Sequence, residues 1–218
     1  MTTPNSQENN SQRTDEKQAR TIMSAIAPSP RHPLLVRVTH WATTVSVGAL
    51  GLSGLAILLA HPRLYWGEVG VVGMPALIDL PLPFVLTGQT GWGRSLHFLS
   101  AWAIVITGIV YVAGMRRAHF RWPLYNRRQR HAYALVVFVV LPLMVWTGLA
   151  MSPAITSVTP VIVTTLGGHQ SARTLHFFGA IALAVFVVGH VVMVGIAGFR
   201  PHVGAMITGD LAARKEGA

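Results

Sequence analysis

The sequence predicts an all-α membrane protein, a bundle of four transmembrane helices with the N- and C-termini in the cytoplasm. The 218 residues are 51% hydrophobic and only 11% charged, whereas soluble domains carry about 25% charged residues. Four apolar segments are long enough to cross a bilayer core about 30 Å thick. The basic residues are concentrated on one side of these segments, as is typical of cytoplasmic loops.

The elements follow in chain order. Residues 1–30 are polar and predict a disordered cytoplasmic tail. A four-helix domain is expected over residues 31–211, followed by a C-terminal tail over 212–218. The predicted spanning helices cover about 34–60, 92–115, 131–151 and 172–199.

Two further apolar stretches do not meet the requirements of a membrane span. Residues 69–87 contain three prolines, which lack an amide hydrogen and break helical turns, and the charged Asp79. Both features are costly in lipid. Residues 155–166 are too short and contain Pro160. We therefore expect both stretches to cover one end of the bundle outside the hydrocarbon core.

The distribution of basic residues predicts the orientation. Of the 17 lysines and arginines, 14 lie in the two tails, at their junctions with the helices or in the segment 116–130, and three lie on the other side, at Arg63, Arg94 and Arg173. The positive-inside rule then places both termini and the middle loop in the cytoplasm. The net charge of +10 is explained by this topology, so we expect the lipid bilayer, and no nucleic acid, as the partner of the basic residues.

Histidines are the candidate cofactor ligands. The chain has no cysteine, which excludes thiolate zinc sites, iron–sulfur clusters and covalently attached haem. His176 and His190 lie fourteen residues apart on the fourth predicted helix, so they share a face and stand about 21 Å apart. The topology places His97 beside His176 at the outer level, and His40 beside His190 at the inner level. We call His97 and His176 the outer pair, and His40 and His190 the inner pair.

Paired neutral imidazoles inside a helix bundle suit axial ligation of haem iron. The four predicted spans contain no Asp or Glu, which argues against zinc and against a proton-relay transporter. The sequence therefore predicts two non-covalent b-type haems, one on each pair. A haem-free transporter or assembly factor is the alternative, and it leaves the matched levels of the histidines unexplained.

An arginine stands three residues before three of the four histidines, at Arg37, Arg94 and Arg173. This offset places each guanidinium on the face of the histidine but nearer the membrane surface, where it would bind haem propionates. The alternative is an interfacial anchor that extends to water. The segments RSLHF (94–98) and RTLHF (173–177) nearly repeat one another, which favours one shared cofactor for the outer pair.

Several motifs, in order, resemble those of the bacterial di-haem cytochromes b of the cytochrome b-561 superfamily. This group includes the cytochrome b subunits of nickel-iron hydrogenases, the gamma subunits of formate dehydrogenases and the thiosulfate-reductase type. The resemblance covers nearly all of residues 31–211 and is carried by HPLLVRVTHW (32–41), AHPRLYWG (60–67), LPLMVWTGLAMSP (141–153), GGHQSARTLHF (167–177), GHVVMV (189–194) and MITG (206–209).

The resemblance implies a multi-pass protein of the bacterial inner membrane that transfers electrons between a periplasmic oxidoreductase and the quinone pool. It implies the same four histidine ligands and a quinone site at the start of the third helix, where Asn126 and Gln129 resemble the family's Asn and Gln. It also implies a molybdopterin-containing partner, which we expect to dock on loops 61–91 and 152–171. His131 is expected to be a surface residue or a contributor to the quinone site.

The chain shows no nucleophile, general base or phosphate-binding loop, so we expect no catalytic residue in it and assign catalysis to the partner. A second hypothesis is a stand-alone cytochrome b-561-type oxidoreductase. Such a protein would oxidise superoxide at the outer side and reduce quinone without a partner subunit.

Overall fold

The computed structural model describes residues 32–71, 73–81, 90–117 and 127–209. The predicted tails 1–30 and 212–218 lie outside these ranges, as does Asn126. The described residues fall into two compact units, one made of residues up to Arg37 together with those from Gly198 onward, and the other of Val38–Ala197.

Four helices of the described chain are long and apolar enough to cross a membrane, which confirms the predicted fold class. The first spanning helix is Leu34–Ala60, as the sequence predicts, and the second is Thr90–Arg117. The third is built from Arg127–Leu135, Val136–Val140 and Leu141–Ala150, and the fourth is His169–Thr208. The hydropathy pattern therefore located every span. The second and fourth helices are longer than predicted at both ends, and the third begins earlier than predicted and ends at Ala150.

The third spanning helix contains one wide turn. Val136–Val140 form a π-helix, in which the amide of Leu141 donates to the carbonyl of Val136. Pro142 follows directly and has no amide hydrogen to donate. Its ring would clash with the carbonyl four residues earlier in a regular α-helix, and a wider turn is one of the recognised ways in which helices accommodate such a local disturbance.

The fourth spanning helix is longer at both ends than the predicted 172–199. At its C-terminal end, Gly198 has a φ of 106° and a ψ of 96°, so the helix is interrupted there and resumes toward Thr208. The resumed helix ends at Gly209, whose φ of 95° is typical of a helix C-terminus. In this smaller unit, Arg37 donates a hydrogen bond to the carbonyl of Ile207.

The segments that the sequence excludes as spans fold into small elements. Strand β1 (Arg63–Leu64) pairs antiparallel with strand β2 (Ile78–Asp79), a pairing that the sequence did not predict. Two short helices, Pro153–Thr156 and Val161–Thr164, occupy the region after the third spanning helix. A small buried cluster of Ala150, Val163 and Ala172 packs this region against the neighbouring helix ends.

The first loop is hydrogen-bonded to the N-terminus of the fourth spanning helix. The Gly67 carbonyl accepts from the amides of Gln170 and Ser171, and the Glu68 carboxylate accepts from the amide of His169 at 2.9 Å. Gly67 in turn donates to the Ser171 hydroxyl at 2.8 Å. These bonds satisfy helix amides that would otherwise lack partners, so the helix begins at His169 and not at residue 172. We call this set of contacts the outer clamp.

Candidate functional site

The four predicted histidines meet in the two expected pairs. The ring centres of His97 and His176 lie 6.1 Å apart with an angle of 61° between the ring planes. Those of His40 and His190 lie 6.4 Å apart with an angle of 53°. Each pair joins the fourth spanning helix to a different neighbour, the second helix for the outer pair and the first helix for the inner pair.

Both rings of the outer pair are held by hydroxyl groups. Ser53 lies 3.0 Å from Nδ1 of His97, and Thr147 lies 2.8 Å from Nδ1 of His176. Each hydroxyl donates its own hydrogen one turn back along its helix, Ser53 to the carbonyl of Ala49 and Thr147 to that of Leu143, both at 2.7 Å. Because a hydroxyl has one hydrogen, it accepts from the imidazole, so Nδ1 carries the proton and Nε2 keeps its lone pair.

A glycine follows each of these hydroxyl residues and lies against the same ring. A Cβ atom on Gly54 would lie 3.6 Å from Cε1 of His97, and a Cβ atom on Gly148 would lie 3.6 Å from Cε1 of His176. The two sets belong to a second internal repeat, SGLA (53–56) and TGLA (147–150). Sequence reasoning missed Ser53 and Thr147, although this repeat, read beside RSLHF and RTLHF, was the signal that could have found them.

The inner pair has aromatic neighbours. The Tyr133 hydroxyl lies 3.3 Å from Nδ1 of His190, and the Phe186 ring stacks on His190 with 18° between the planes. Tyr133 also packs edge-on against Phe186. Tyr133 was likewise not predicted, and no spacing or repeat in the sequence marks it. Its contact places the beginning of the third spanning helix beside the inner pair.

The predicted propionate partners have different surroundings. Arg94 is exposed, and Arg173 is half-buried and donates to the carbonyl of His61. Burial lowers the pKa of His61, and the positive charges of Arg173 and then of Arg94 lower it further. These two arginines therefore place positive charge near the first loop. Arg37 binds the Ile207 carbonyl, as described above, and its predicted role toward a propionate stays a prediction.

Of the predicted quinone residues, the structure describes Gln129, which is partly exposed and lies one turn before Tyr133. Asn126 lies outside the described residues. His131 is exposed at the start of the third predicted span, in keeping with its interpretation as a surface residue.

The spacing of the rings allows a direct test of whether the pairs fit haem iron. Two imidazoles that share one metal ion, each through a metal–nitrogen bond of about 2 Å, have ring centres about 6 Å apart. The observed distances of 6.1 and 6.4 Å agree with this value. Within the described ranges, histidine and acidic side chains do not gather in groups of three or more that could hold a metal ion. The donor sets are thus pairs of imidazoles, as axial ligation of haem requires.

Four spanning helices with facing imidazole pairs between them define a class, the membrane-embedded b-type cytochromes. The comparison with known families agrees with this class. The profile of the prokaryotic cytochrome b561 family matches residues 31–209, and the chain belongs to that family. It is therefore a multi-pass protein of the bacterial inner membrane, and as a cytochrome b it binds haem b and transfers electrons.

A curated relative is a putative protein-methionine-sulfoxide reductase subunit from Azospira oryzae. The two sequences are 29% identical in an alignment 198 positions long, and the alignment covers 76% of this chain and 90% of the relative. No solved structure matches this chain.

Proposed function

We propose that this protein is the di-haem membrane subunit that carries electrons between a periplasmic oxidoreductase and the membrane quinone pool. The observation that carries the proposal is the presence of two imidazole pairs at two levels of one bundle. His176 and His190 lie about 21 Å apart along the fourth spanning helix, so the two pairs together extend over most of a hydrocarbon core of about 30 Å.

The residues of this chain have separate tasks in the proposed function. Haem b supplies a reversible one-electron carrier when bound. His97 and His176 would hold the outer haem, each through Nε2, and His40 and His190 would hold the inner one. Arg94 and Arg173 would bind the propionates of the outer haem, and Arg37 those of the inner haem. The apolar side chains of the helices would keep water away from the two pairs.

The outer end offers a surface for the periplasmic partner. Large apolar side chains of the first loop and of the short helices are exposed there: Trp66, Val69, Val71, Met74, Leu77, Val158 and Val161. The relative's name describes it as a subunit of a protein-methionine-sulfoxide reductase, and the sequence resemblance implies a molybdopterin-containing partner. We propose that a partner of this type docks on loops 61–91 and 152–171.

The inner end is the proposed place for quinone. The contact of Tyr133 with His190 brings the start of the third spanning helix to the inner pair. Gln129, one turn earlier on the same helix, is the described member of the proposed Asn126 and Gln129 pair. An amide side chain at this position would donate a hydrogen bond to a quinone carbonyl.

The test is the haem content of purified protein and of single histidine variants. We expect two haems b per wild-type chain. His176→Ala should lose the outer haem and keep the inner one, because the two pairs share no ligand. His202→Ala is the matched control: it lies in the resumed helix beyond Gly198, its Nδ1 lies 2.8 Å from the local Gly198 carbonyl, and it should keep both haems. Equal loss of both haems from folded His176→Ala would contradict the pairing.

A second candidate function is a stand-alone superoxide:quinone oxidoreductase. The exposed guanidinium of Arg94, with Arg173 near by, would attract a small anion to the outer pair. Purification from native membranes distinguishes the two candidates. A soluble molybdenum subunit that co-purifies supports the first, whereas quinone reduction by superoxide in the isolated chain supports the second.

A further inference from the structure

The two buried hydroxyls beside the outer pair have a role that the ligand assignment alone does not explain. Ser53 and Thr147 lie on different helices, and both are fully buried. Each one meets the Nδ1 atom of a different histidine of the same pair. We propose that Ser53 and Thr147 are positioning residues that orient both axial ligands of the outer haem and lower its midpoint potential. This inference rests on the proposed function.

The orientation follows from the hydrogen bonds. Each imidazole ring can turn about the bond to its Cβ atom, and either ring nitrogen is able to bind iron. Because both hydroxyls give their hydrogens to helix carbonyls, they accept only, and they bind the tautomer with the proton on Nδ1. Both rings then present Nε2. The glycines that follow, Gly54 and Gly148, lie beside the same rings, where an added Cβ atom would be in ordinary van der Waals contact with Cε1 at 3.6 Å.

The effect on potential follows from the same bonds. A histidine that donates from Nδ1 to an acceptor becomes a more basic ligand. A more basic ligand favours the oxidised, more positively charged iron, so the hydrogen bonds lower the midpoint potential. Each hydroxyl meets a different histidine of the pair, so each substitution should raise the potential by itself.

A different hydroxyl lies beside the inner pair. His190 meets the phenol of Tyr133 at 3.3 Å, which is longer than the 3.0 and 2.8 Å of the outer pair. Substitutions at Ser53 and Thr147 should therefore change one haem and leave the other as an internal reference within the same molecule.

The experiment is a potentiometric titration of the haem b spectrum in the full-length protein. Thr147→Val keeps the shape of the side chain and removes the hydroxyl, and Ser53→Ala does the same on the other side. The loss of one hydrogen bond changes an equilibrium about fivefold to tenfold. The ratio of reduced to oxidised outer haem at a fixed potential should rise by this factor, and tenfold corresponds to about 59 mV for one electron. Thr147→Ser should restore the wild-type value.

The matched control is Thr174→Val. Thr174 is also fully buried, lies on the helix of His176 and donates its hydroxyl hydrogen to the Tyr65 carbonyl at 2.6 Å, not to a histidine. This variant should lose stability but keep both potentials. A purely structural role for hydroxyls would make Thr147→Val and Thr174→Val behave alike.

Haem retention in the same variants is a second readout of the proposed positioning role. Loss of the outer haem alone from Thr147→Val and Ser53→Ala, with retention in Thr174→Val, supports positioning. Unchanged potentials in both variants, or loss of both haems from both, would overturn the proposal. Wild-type protein without haem would refute the proposed function itself, which is a separate result.

Discussion

Substitution of Gly168 by alanine should disrupt the outer clamp. Gly168 has a φ of 116°, a conformation that costs an L-residue about 1–2 kcal/mol. An added Cβ atom would also lie 2.4 Å from the carbonyl carbon and oxygen of Gly67 and 2.7 Å from the amide nitrogen of Glu68. These are backbone atoms, so the first loop must move away from the fourth spanning helix.

The structure gives the expected magnitude. Gly67 takes part in three hydrogen bonds to the helix, one through its amide and two through its carbonyl. At about 1 kcal/mol each, their loss adds about 3 kcal/mol to the conformational cost. We therefore expect Gly168→Ala to destabilise the protein by about 4–5 kcal/mol.

The matched control is Gly67→Ala. Gly67 has a φ of 97°, and a Cβ atom there would meet nothing within 4 Å among the described residues. The Gly67→Ala substitution should lower the free energy of unfolding by only about 1–2 kcal/mol. The assay is unfolding of the detergent-solubilised protein followed by circular dichroism, with haem content measured in parallel. If Gly168→Ala is no less stable than Gly67→Ala, the described contact between the first loop and the fourth helix is wrong.

The remaining predictions concern the inner pair and pH. Tyr133→Phe removes the hydroxyl beside His190 and should shift the midpoint potential of the inner haem, changing its ratio of reduced to oxidised form by less than about tenfold, because the contact is long at 3.3 Å. Redox titration checks this, and a change confined to the outer haem would contradict it. The pKa of His61 is lowered by burial and by Arg173 and Arg94, so its neutral form stabilises the fold above its ordinary pKa of 6.5, and this contribution is lost as the pH falls through the lowered pKa. The melting temperature should therefore fall less steeply between pH 7 and about pH 4 in His61→Gln than in the wild type. An equal fall in both proteins would refute this.

The sequence predicted the spanning helices because apolar length is an intrinsic property of each segment. It could not predict where the fourth helix begins, since the first amides of that helix bond to Glu68 and Gly67, which are about a hundred residues away. The strand pairing of Arg63–Leu64 with Ile78–Asp79 is equally non-local and too short to give a pattern.

The candidate site shows the same division. The four histidines were predictable because polar rings at membrane depth are rare, and their levels follow from the topology. Ser53 and Thr147 were not predicted, because hydroxyl residues in helices usually bond to a carbonyl of their own helix, and these two do so as well. Their second contact, to a histidine on another helix, depends on how the two helices are rotated against each other, which the sequence of one helix does not determine.

The central claim is that two pairs of histidines hold two haems in one chain. The most direct measurement is the ratio of haem b to polypeptide in the purified full-length protein, combined with a redox titration of the same sample. We predict two haems per chain that titrate as two components of different potential. A ratio of one haem per chain, or of none, would contradict the account.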